Sequence, residues 1–566
     1  MKRWTIKKHD REAVNFLAED LKVSPILAAL LISRGYENAE KAEKFLNPSI
    51  NDLHEPNLLK GMKQAVERIL KAVEVGEKIL VWGDYDVDGT TGTVVVRKAL
   101  EILGAKTGFH IPHRFTEGYG VNIPALEKAK ERGYTLVVSV DCGIRSFDPL
   151  IWAKENGIDF IVTDHHLPDE ATGNPPAYAV VNPNQPDCEY PDKNLAGVGV
   201  AFKLAHALLR EKGKENLVRG FLKVVAIGTV ADVMNLTGEN RAIVALGLKD
   251  LPKAHNYGLK ALMEAADCTG SMTSYDIGFR IAPRINAAGR MDAARTIVEL
   301  FETTDFDEAR SLAEKLNSRN RERQKVQTEI TDLALLATLD SPVSTNFVVV
   351  AGAGWHRGVI GLAASRIAEK LYRPTIVLSI EDGIAHGSAR SIAGYHLLKG
   401  LDSCSELFEQ YGGHAAAAGM KIKEENIQKL QEKLNAHATE NLSAEDLIPE
   451  LKIDAVVSSQ SLNLDLIAQL KRLEPFGMGN PKPRFVTKNL TLGGEPYVMK
   501  NKHLILKLND DGGRQFEAVW WDGVDKPKAE TLRAKSRIEL AYTPEANNWN
   551  GSTRLQLVVE DLRTEN

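Results

Sequence analysis

Four acidic segments stand at the ends of apolar runs, and together they constrain this chain more than its size or composition does. They are Gly83-Asp84-Tyr85-Asp86-Val87-Asp88-Gly89, Asp141 in Ser139-Val140-Asp141-Cys142-Gly143, Asp164-His165-His166, and Asp232 in Gly228-Thr229-Val230-Ala231-Asp232. Three of them follow short runs rich in β-branched residues: Lys78-Ile79-Leu80-Val81-Trp82, Leu136-Val137-Val138-Ser139-Val140 and Phe160-Ile161-Val162-Thr163. Such runs, separated by helical stretches, predict buried parallel strands. Open α/β sheets bind ligands at the carboxyl ends of their strands, which is where these carboxylates fall. So much like charge in one place repels itself unless cations lie between the groups. Carboxylates and imidazole without thiolate suit Mn²⁺ or Mg²⁺ better than a structural zinc. The pattern predicts a catalytic metal centre.

Two plainer explanations fall short. Asp84-x-Asp86-x-Asp88-Gly89 matches the opening of an EF-hand loop, but the twelfth position is Val95 and the preceding run is a strand rather than a helix. Any one segment taken alone can be a helix-capping turn. Four at equivalent element ends are not explained by capping.

At 566 residues the chain is long enough for three or four domains. A net charge of −5 argues against wholesale wrapping of nucleic acid, though it leaves room for a local basic track. Cys142, Cys188, Cys268 and Cys404 are far apart and form no CxxC pair, which argues against a thiolate zinc site and a disulfide framework and fits a reducing cytoplasm. The first ten residues have no apolar signal-peptide core, and no run approaches the roughly 18 apolar residues of a membrane span. A cytoplasmic protein is expected.

The predicted fold class is α/β. Residues 1–60 read as a helical lead-in and 61–305 as a doubly wound parallel-sheet domain. Residues 306–340 read as one long connecting helix, polar on every face around Asn317 to Arg323, as in helices that bridge domains. Residues 341–445 read as a smaller α/β domain and 446–566 as a β-barrel of the OB type, separable after Pro449.

The four acidic segments resemble the motifs of the DHH phosphoesterase superfamily. Gly354-Trp355-His356-Arg357-Gly358-Val359-Ile360-Gly361 and Gly412-Gly413-His414-Ala415-Ala416-Ala417-Ala418-Gly419 resemble its associated second domain, the DHHA1 type. With Pro283-Arg284-Ile285-Asn286-Ala287-Ala288-Gly289-Arg290 between them and a barrel after them, the chain is similar to that superfamily's single-strand-specific 5′→3′ DNA exonucleases. The resemblance implies hydrolysis of single-stranded DNA to 5′-mononucleotides in DNA repair and recombination, with two ions, Mn²⁺ or Mg²⁺. It makes Asp86, Asp88, Asp141, His165 and Asp232 metal ligands, with Asp86 or Asp141 bridging. Asp84 would orient water or help hold the second ion, and His166 would meet the scissile phosphate. It also implies single-strand-binding protein and a DNA helicase as partners, in the nucleoid. A monomer is expected.

Gly387-Ser388-Ala389-Arg390-Ser391, expected just after a strand, offers hydroxyls and a guanidinium suited to a terminal phosphate. The resemblance makes Ser388, Arg390 and Arg114 the 5′-phosphate pocket, with His356, Gly413 and His414 as further DNA contacts. Gly412-Gly413-His414 is expected to open a helix and present its amides to phosphate. Arg280, Arg284 and Arg290 are candidates for tracking the DNA backbone, as are Lys315, Arg319, Arg321, Arg323 and Lys325 on the long helix. Of Phe485, Tyr497, Trp520, Trp521, Tyr542 and Trp549, one or two are expected to be surface platforms for bases and the rest core.

Two other functions fit part of the pattern. DHH-type phosphatases and oligonucleotidases for small phosphoesters commonly carry a His four residues before the first Asp of the ligand pair. Here Trp82 holds that place before Asp86. A non-catalytic single-strand-binding relative should have eroded ligands, and none is missing.

Overall fold

The β-branched runs form the strands their composition predicts. The computed structural model describes residues 2–114, 116–290, 294–339, 345–549 and 551–564. Five parallel strands lie in the order Lys106–His110, Lys78–Gly83, Tyr134–Val140, Asp159–Thr163 and Ala179–Val181. Ile79, Val81, Leu136, Val138 and Ile161 are fully buried, as parallel strands covered on both faces require. Helices Val87–Ile102, Gly197–Glu211 and Leu222–Ala231 pack on the sheet through Val95, Val96, Ala201, Leu204 and Val225.

The chain divides into two compact units. One comprises Trp4–Asn286, Ala294–Ala313 and Lys452–Asn566, so the barrel and the parallel sheet belong together. The barrel ring runs Phe485–Leu492, Arg537–Trp549, Ser552–Thr564, Gln515–Trp520 and His503–Asn509. It closes where Thr491 and Leu492 pair with Asn509 and Leu508. Its interior holds Phe485, Trp520 and Tyr542, the last bonded to Thr487 at 2.7 Å. Tyr497 (65% exposed) and Trp521 (50%) face solvent. The side chain of Trp549 lies outside the described residues.

A barrel separable after Pro449 is not what the structure shows. Leu17, Leu27, Leu30 and Phe45 of the N-terminal helices share one core with Leu470, Leu473 and the barrel's Phe485 and Leu540. The buried Arg241, on helix Gly238–Asp250, donates to the carbonyls of Phe45 (2.7 Å), Leu473 (2.9 Å) and Glu474 (2.7 Å) and lies 3.7 Å over the Phe45 ring. One guanidinium thus joins three segments, and a buried donor left without such acceptors is costly.

The other unit comprises Met1–Arg3, Ala287–Ala293 and Glu314–Leu451. Its sheet runs Phe408–Gly413, Ala417–Lys423, Ile384–Arg390, Thr375–Glu381 and Val348–Ala353, antiparallel except for the last pair. Helix Phe306–Leu339 passes from one unit to the other. Its polar middle is solvated on one side only: Lys315, Arg319, Arg321 and Lys325 are exposed, whereas Asn317, Asn320, Gln327 and Thr331 are buried and Arg323 donates to Asn320 (2.7 Å) and Gln327 (3.0 Å).

Candidate metal centre

Each acidic segment is aimed by the local fold. Asp84 and Asp86 follow the strand Lys78–Gly83, and Asp86 caps helix Val87–Ile102 by accepting from the Gly89 amide at 3.0 Å. Asp88 sits in that helix's first turn, fully buried. Its two oxygens accept the amides of Gly197 and Val198, both at 2.7 Å, at the start of helix Gly197–Glu211. Asp141 leaves its strand in the left-handed region (φ 62°). Gly197 lies so close that a Cβ there would stand 2.5 Å from Asp141 Oδ1, so only glycine fits. Asp232 ends helix Leu222–Ala231.

These side chains converge. Asp84, Asp86 and Asp141 offer oxygens within 4.8 Å of one another, and Asp88, His165 and Asp232 form a second such group. His165 Nε2 lies 3.2 Å from Asp141 Oδ1, 3.6 Å from Asp232 and 3.9 Å from Asp88, which joins the two groups. Buried oxygens of Asp84 and Asp141 have no hydrogen-bond partner. Native interiors seldom leave buried acceptors so, and hard oxygens flanking an imidazole suit a divalent cation. The residues fit Mn²⁺ or Mg²⁺.

Electrostatics point the same way. Burial, then the charge of Asp86, pushes Asp84 up to about 8; the same two causes push Asp232 up to about 7. Burial and neighbouring carboxylates also raise Asp88 and Asp141 well above the usual carboxylate range. Burial, reinforced by His166, lowers His165 to about 4, leaving its imidazole neutral and free to ligate.

His166 behaves oppositely. Burial resists its charge, but the hydrogen bond and charge of Asp164 outweigh burial and raise its pKa. Asp164 accepts His166 Nδ1 (2.8 Å) and the amides of His165 (2.8 Å), His166 (3.1 Å) and Ile144 (3.0 Å). This leaves the half-exposed His166 with Nε2 turned away from Asp164. Asn184 and Asn182 donate to the carbonyls of His165 (2.7 Å) and His166 (2.9 Å), and Tyr119 Oη to that of Asp141 (3.3 Å). Sequence reasoning gave Asp164 no role of its own, although the motif contains it. Nothing in the sequence marks Asn182, Asn184 or Tyr119.

The remaining candidates are scattered. The Arg114 guanidinium lies 4.9 Å over the Tyr85 ring. In the second unit, Ser388 and Arg390 lie within strand Ile384–Arg390 rather than after it, Arg390 donating to Ser388 Oγ (3.2 Å) and the Ala389 carbonyl (2.7 Å). A Cβ on Gly361, in the first turn of helix Ile360–Leu371, would stand 2.9 Å from Ser388 Oγ, so that helix start faces the pair. His356 Nδ1 accepts the Gly358 amide at 3.1 Å just before that helix.

Gly412-Gly413-His414 does not open a helix. Gly413 ends one strand, Ala417–Lys423 is the next, and the exposed His414 sits in the hairpin between them. Pairing with Ile384–Arg390 overrides the helical preference of the alanines. Arg280 pairs with Asp276 (3.3 Å), and Arg284 donates to the Arg280 carbonyl (2.5 Å). The side chain of Arg290 lies outside the described residues. All four cysteines are free and buried, and among the described residues no helix is long and apolar enough to cross a membrane.

A parallel sheet with carboxylates and a His pair at its strand ends, followed by a mixed α/β unit, defines the DHH phosphoesterase class. Models of the DHH family N-terminal domain, the DHHA1 domain and the RecJ OB domain match residues 78–229, 344–440 and 453–561. The single-stranded-DNA-specific exonuclease RecJ of Bacillus subtilis (strain 168) is 41% identical, over 99% of this chain and 70% of its own length. RecJ from Thermus thermophilus in complex with Mn²⁺ matches with a TM-score of 0.85 and 30% identity, covering 100% of this chain and 80% of that one. The complex with Mg²⁺ gives 0.80 and 29%, covering 100% and 79%. The chain belongs to the RecJ family.

Proposed function

We propose that the protein is a metal-dependent exonuclease that degrades single-stranded DNA 5′→3′ to 5′-mononucleotides, in DNA repair and recombination. The observation that carries this is the three overlapping donor groups, Asp84-Asp86-Asp141, Asp141-His165-His166 and Asp88-His165-Asp232, with buried carboxylate oxygens that no protein donor satisfies. Asp86, Asp88, Asp141, His165 and Asp232 would hold the two cations, and Asp84 would orient water or help hold the second ion. When bound, Mn²⁺ or Mg²⁺ supplies Lewis acidity to a water and to the leaving oxygen.

The protein's own groups do the rest. Asp88 is held rigid by two amides. Asp164 anchors His166 through Nδ1, so His166 Nε2–H can donate to charge developing on the phosphate. Ser388, Arg390 and the helix start at Gly361 form the anion pocket for the 5′ end, with Arg114, His356, Gly413 and His414 as further contacts. Arg280, Arg284 and Arg290 track the backbone. The barrel adds stacking through Tyr497 and Trp521.

Domain limits of 1–60, 61–305, 306–340, 341–445 and 446–566, a cytoplasmic monomer at the nucleoid, and single-strand-binding protein and a helicase as partners complete the proposal. The test is Mn²⁺-dependent release of mononucleotides from end-labelled single strands, against duplex and dinucleotide controls. Release from the 5′ end of single strands is expected. Release from dinucleotides alone would turn the assignment to a small-phosphoester phosphatase, and release from the 3′ end would reverse the polarity.

A further inference from the structure

A groove of about 590 Å³ opens beside the end of helix Leu222–Ala231, in the same unit as the metal centre, and none of the proposed site residues lines it. Val230, Ala231 and Val233, the neighbours of Asp232, line one side. The segment Glu474–Met478 lines another, fixed by the Met478 carbonyl accepting the Leu236 amide (2.8 Å) and by Ser274 Oγ donating to the Phe476 carbonyl. The third side is the π-helical turn Ile277–Ile281 and the short helix before it. Such turns recur at functional sites because the extra residue re-aims side chains.

Here the short helix and the turn each present one ring to the groove, Tyr275 and Phe279, stacked on each other at 4.6 Å and 24°. Both are open to solvent, Tyr275 at 58% and Phe279 at 69%, and Val233 (60%) and Met478 (55%) are exposed beside them. Four large apolar side chains left in water around one groove mark a binding surface rather than a core.

We propose that Tyr275 and Phe279 form a stacking platform for nucleobases of the bound single strand, next to the metal centre. Three features select bases over an apolar peptide. The platform is aromatic, and every base has a π face. Ala231 and Val233, on either side of Asp232, line the groove, so it opens one residue away from the metal centre. Lys482 lines the groove, so a cation stands at it for the strand's phosphates. The inference rests on the proposed exonuclease function and adds to it a base-contacting subsite that is indifferent to sequence.

The test uses the full chain with Mn²⁺ and compares KM for intact strands with KM for strands carrying one abasic position, moved stepwise from the 5′ end. In the wild type, one or more positions should raise KM by roughly ten-fold, the loss expected for one stacked base. Phe279→Ala should abolish that difference by weakening intact strands to the abasic level. Phe279→Trp should keep it, and Phe279→Leu, which keeps apolar bulk without a ring face, should not. A wild type that degrades strands but shows the same abasic penalty in Phe279→Ala overturns the platform, as does full retention in Phe279→Leu, which fits a peptide-docking surface instead. A wild type that releases nucleotides from no single strand overturns the exonuclease function itself, so the two failures are distinct.

Discussion

The acidic cluster of the parallel-sheet unit and the Ser388–Arg390 corner of the second unit are both charged sites, but the chain finishes one and leaves the other open. Arg390 donates from Nη1 to its own strand, and neither Ser388 nor Arg390 has a buried polar atom left without a partner. The carboxylates are held by helix-start amides, crowded past what burial tolerates, and left with orphan oxygens. A site complete in itself can select a substrate without being essential to folding or chemistry. A site that is incomplete without cations ties its fold, its protonation and its activity to them.

That contrast is open to direct attack. The largest effect should come from Asp86→Ala or Asp232→Ala, each lowering kcat by at least about 100-fold because a ligand to the cations is lost. Single-strand affinity, read by fluorescence anisotropy, should stay within about two-fold, since the strand is held mainly by phosphate and stacking contacts elsewhere. Turnover near the wild-type level in both variants would separate the cluster from the chemistry. Arg390→Ala should act on selectivity instead. Losing one charge-assisted contact costs about 1.5–3 kcal/mol, so the preference for 5′-phosphorylated over 5′-hydroxyl strands should shrink roughly ten-fold or more. An undiminished preference would remove Arg390 from the end pocket.

Protonation offers a third contrast. Asp84 and Asp232 are raised in the folded protein to about 8 and about 7, while their unfolded-chain values stay near the ordinary 3.9. Protons bound there stabilise the metal-free fold fully below the ordinary value, and that stabilisation is lost as pH rises through about 7 and about 8. His165, depressed to about 4, acts in the opposite sense only below the ordinary histidine value of about 6.5. Above that value the Tm of metal-free protein should fall as pH rises, and the Tm gain on adding Mn²⁺ should grow. A metal-free Tm flat across this range would show that the carboxylates are not stored protonated.

A smaller effect is expected where the barrel entry meets the metal lobe. A Cβ on Gly477 would stand 2.7 Å from Leu236 Cδ1, four residues after Asp232. Gly477→Val should overpack this contact at a cost of about 1–3 kcal/mol. Part of that should reach Asp232, raising half-saturating Mn²⁺ by roughly three- to ten-fold. An unchanged Mn²⁺ requirement would show that the barrel entry does not support Asp232.

The acidic segments are legible because β-branched runs and terminal carboxylates carry their own pattern along the chain. The doubly wound parallel sheet, the long helix and the barrel strands follow from periodicity for the same reason. The Gly412–Gly419 hairpin is not legible, since glycines and alanines carry no alternation and only pairing with a distant strand makes them extended. Nor is Arg241, whose acceptors Phe45 and Leu473 lie 196 and 232 residues away. The sequence shows a barrel as a composition shift, but only the packing shows that its entry segment walls the groove beside Asp232. The same holds for Asp164: its letter is in the motif, but its work on His166 is visible only in space.

The central claim is that the four acidic segments form one site for two cations. Titration of metal-free protein with Mn²⁺, followed by calorimetry together with electron paramagnetic resonance, tests it most directly. Two ions per chain are expected, with the spin-coupled signal of neighbouring Mn²⁺ pairs, and Asp141→Ala should abolish the coupling because Asp141 stands between the donor groups. A single ion per chain, or two uncoupled ions unaffected by Asp141→Ala, would contradict it.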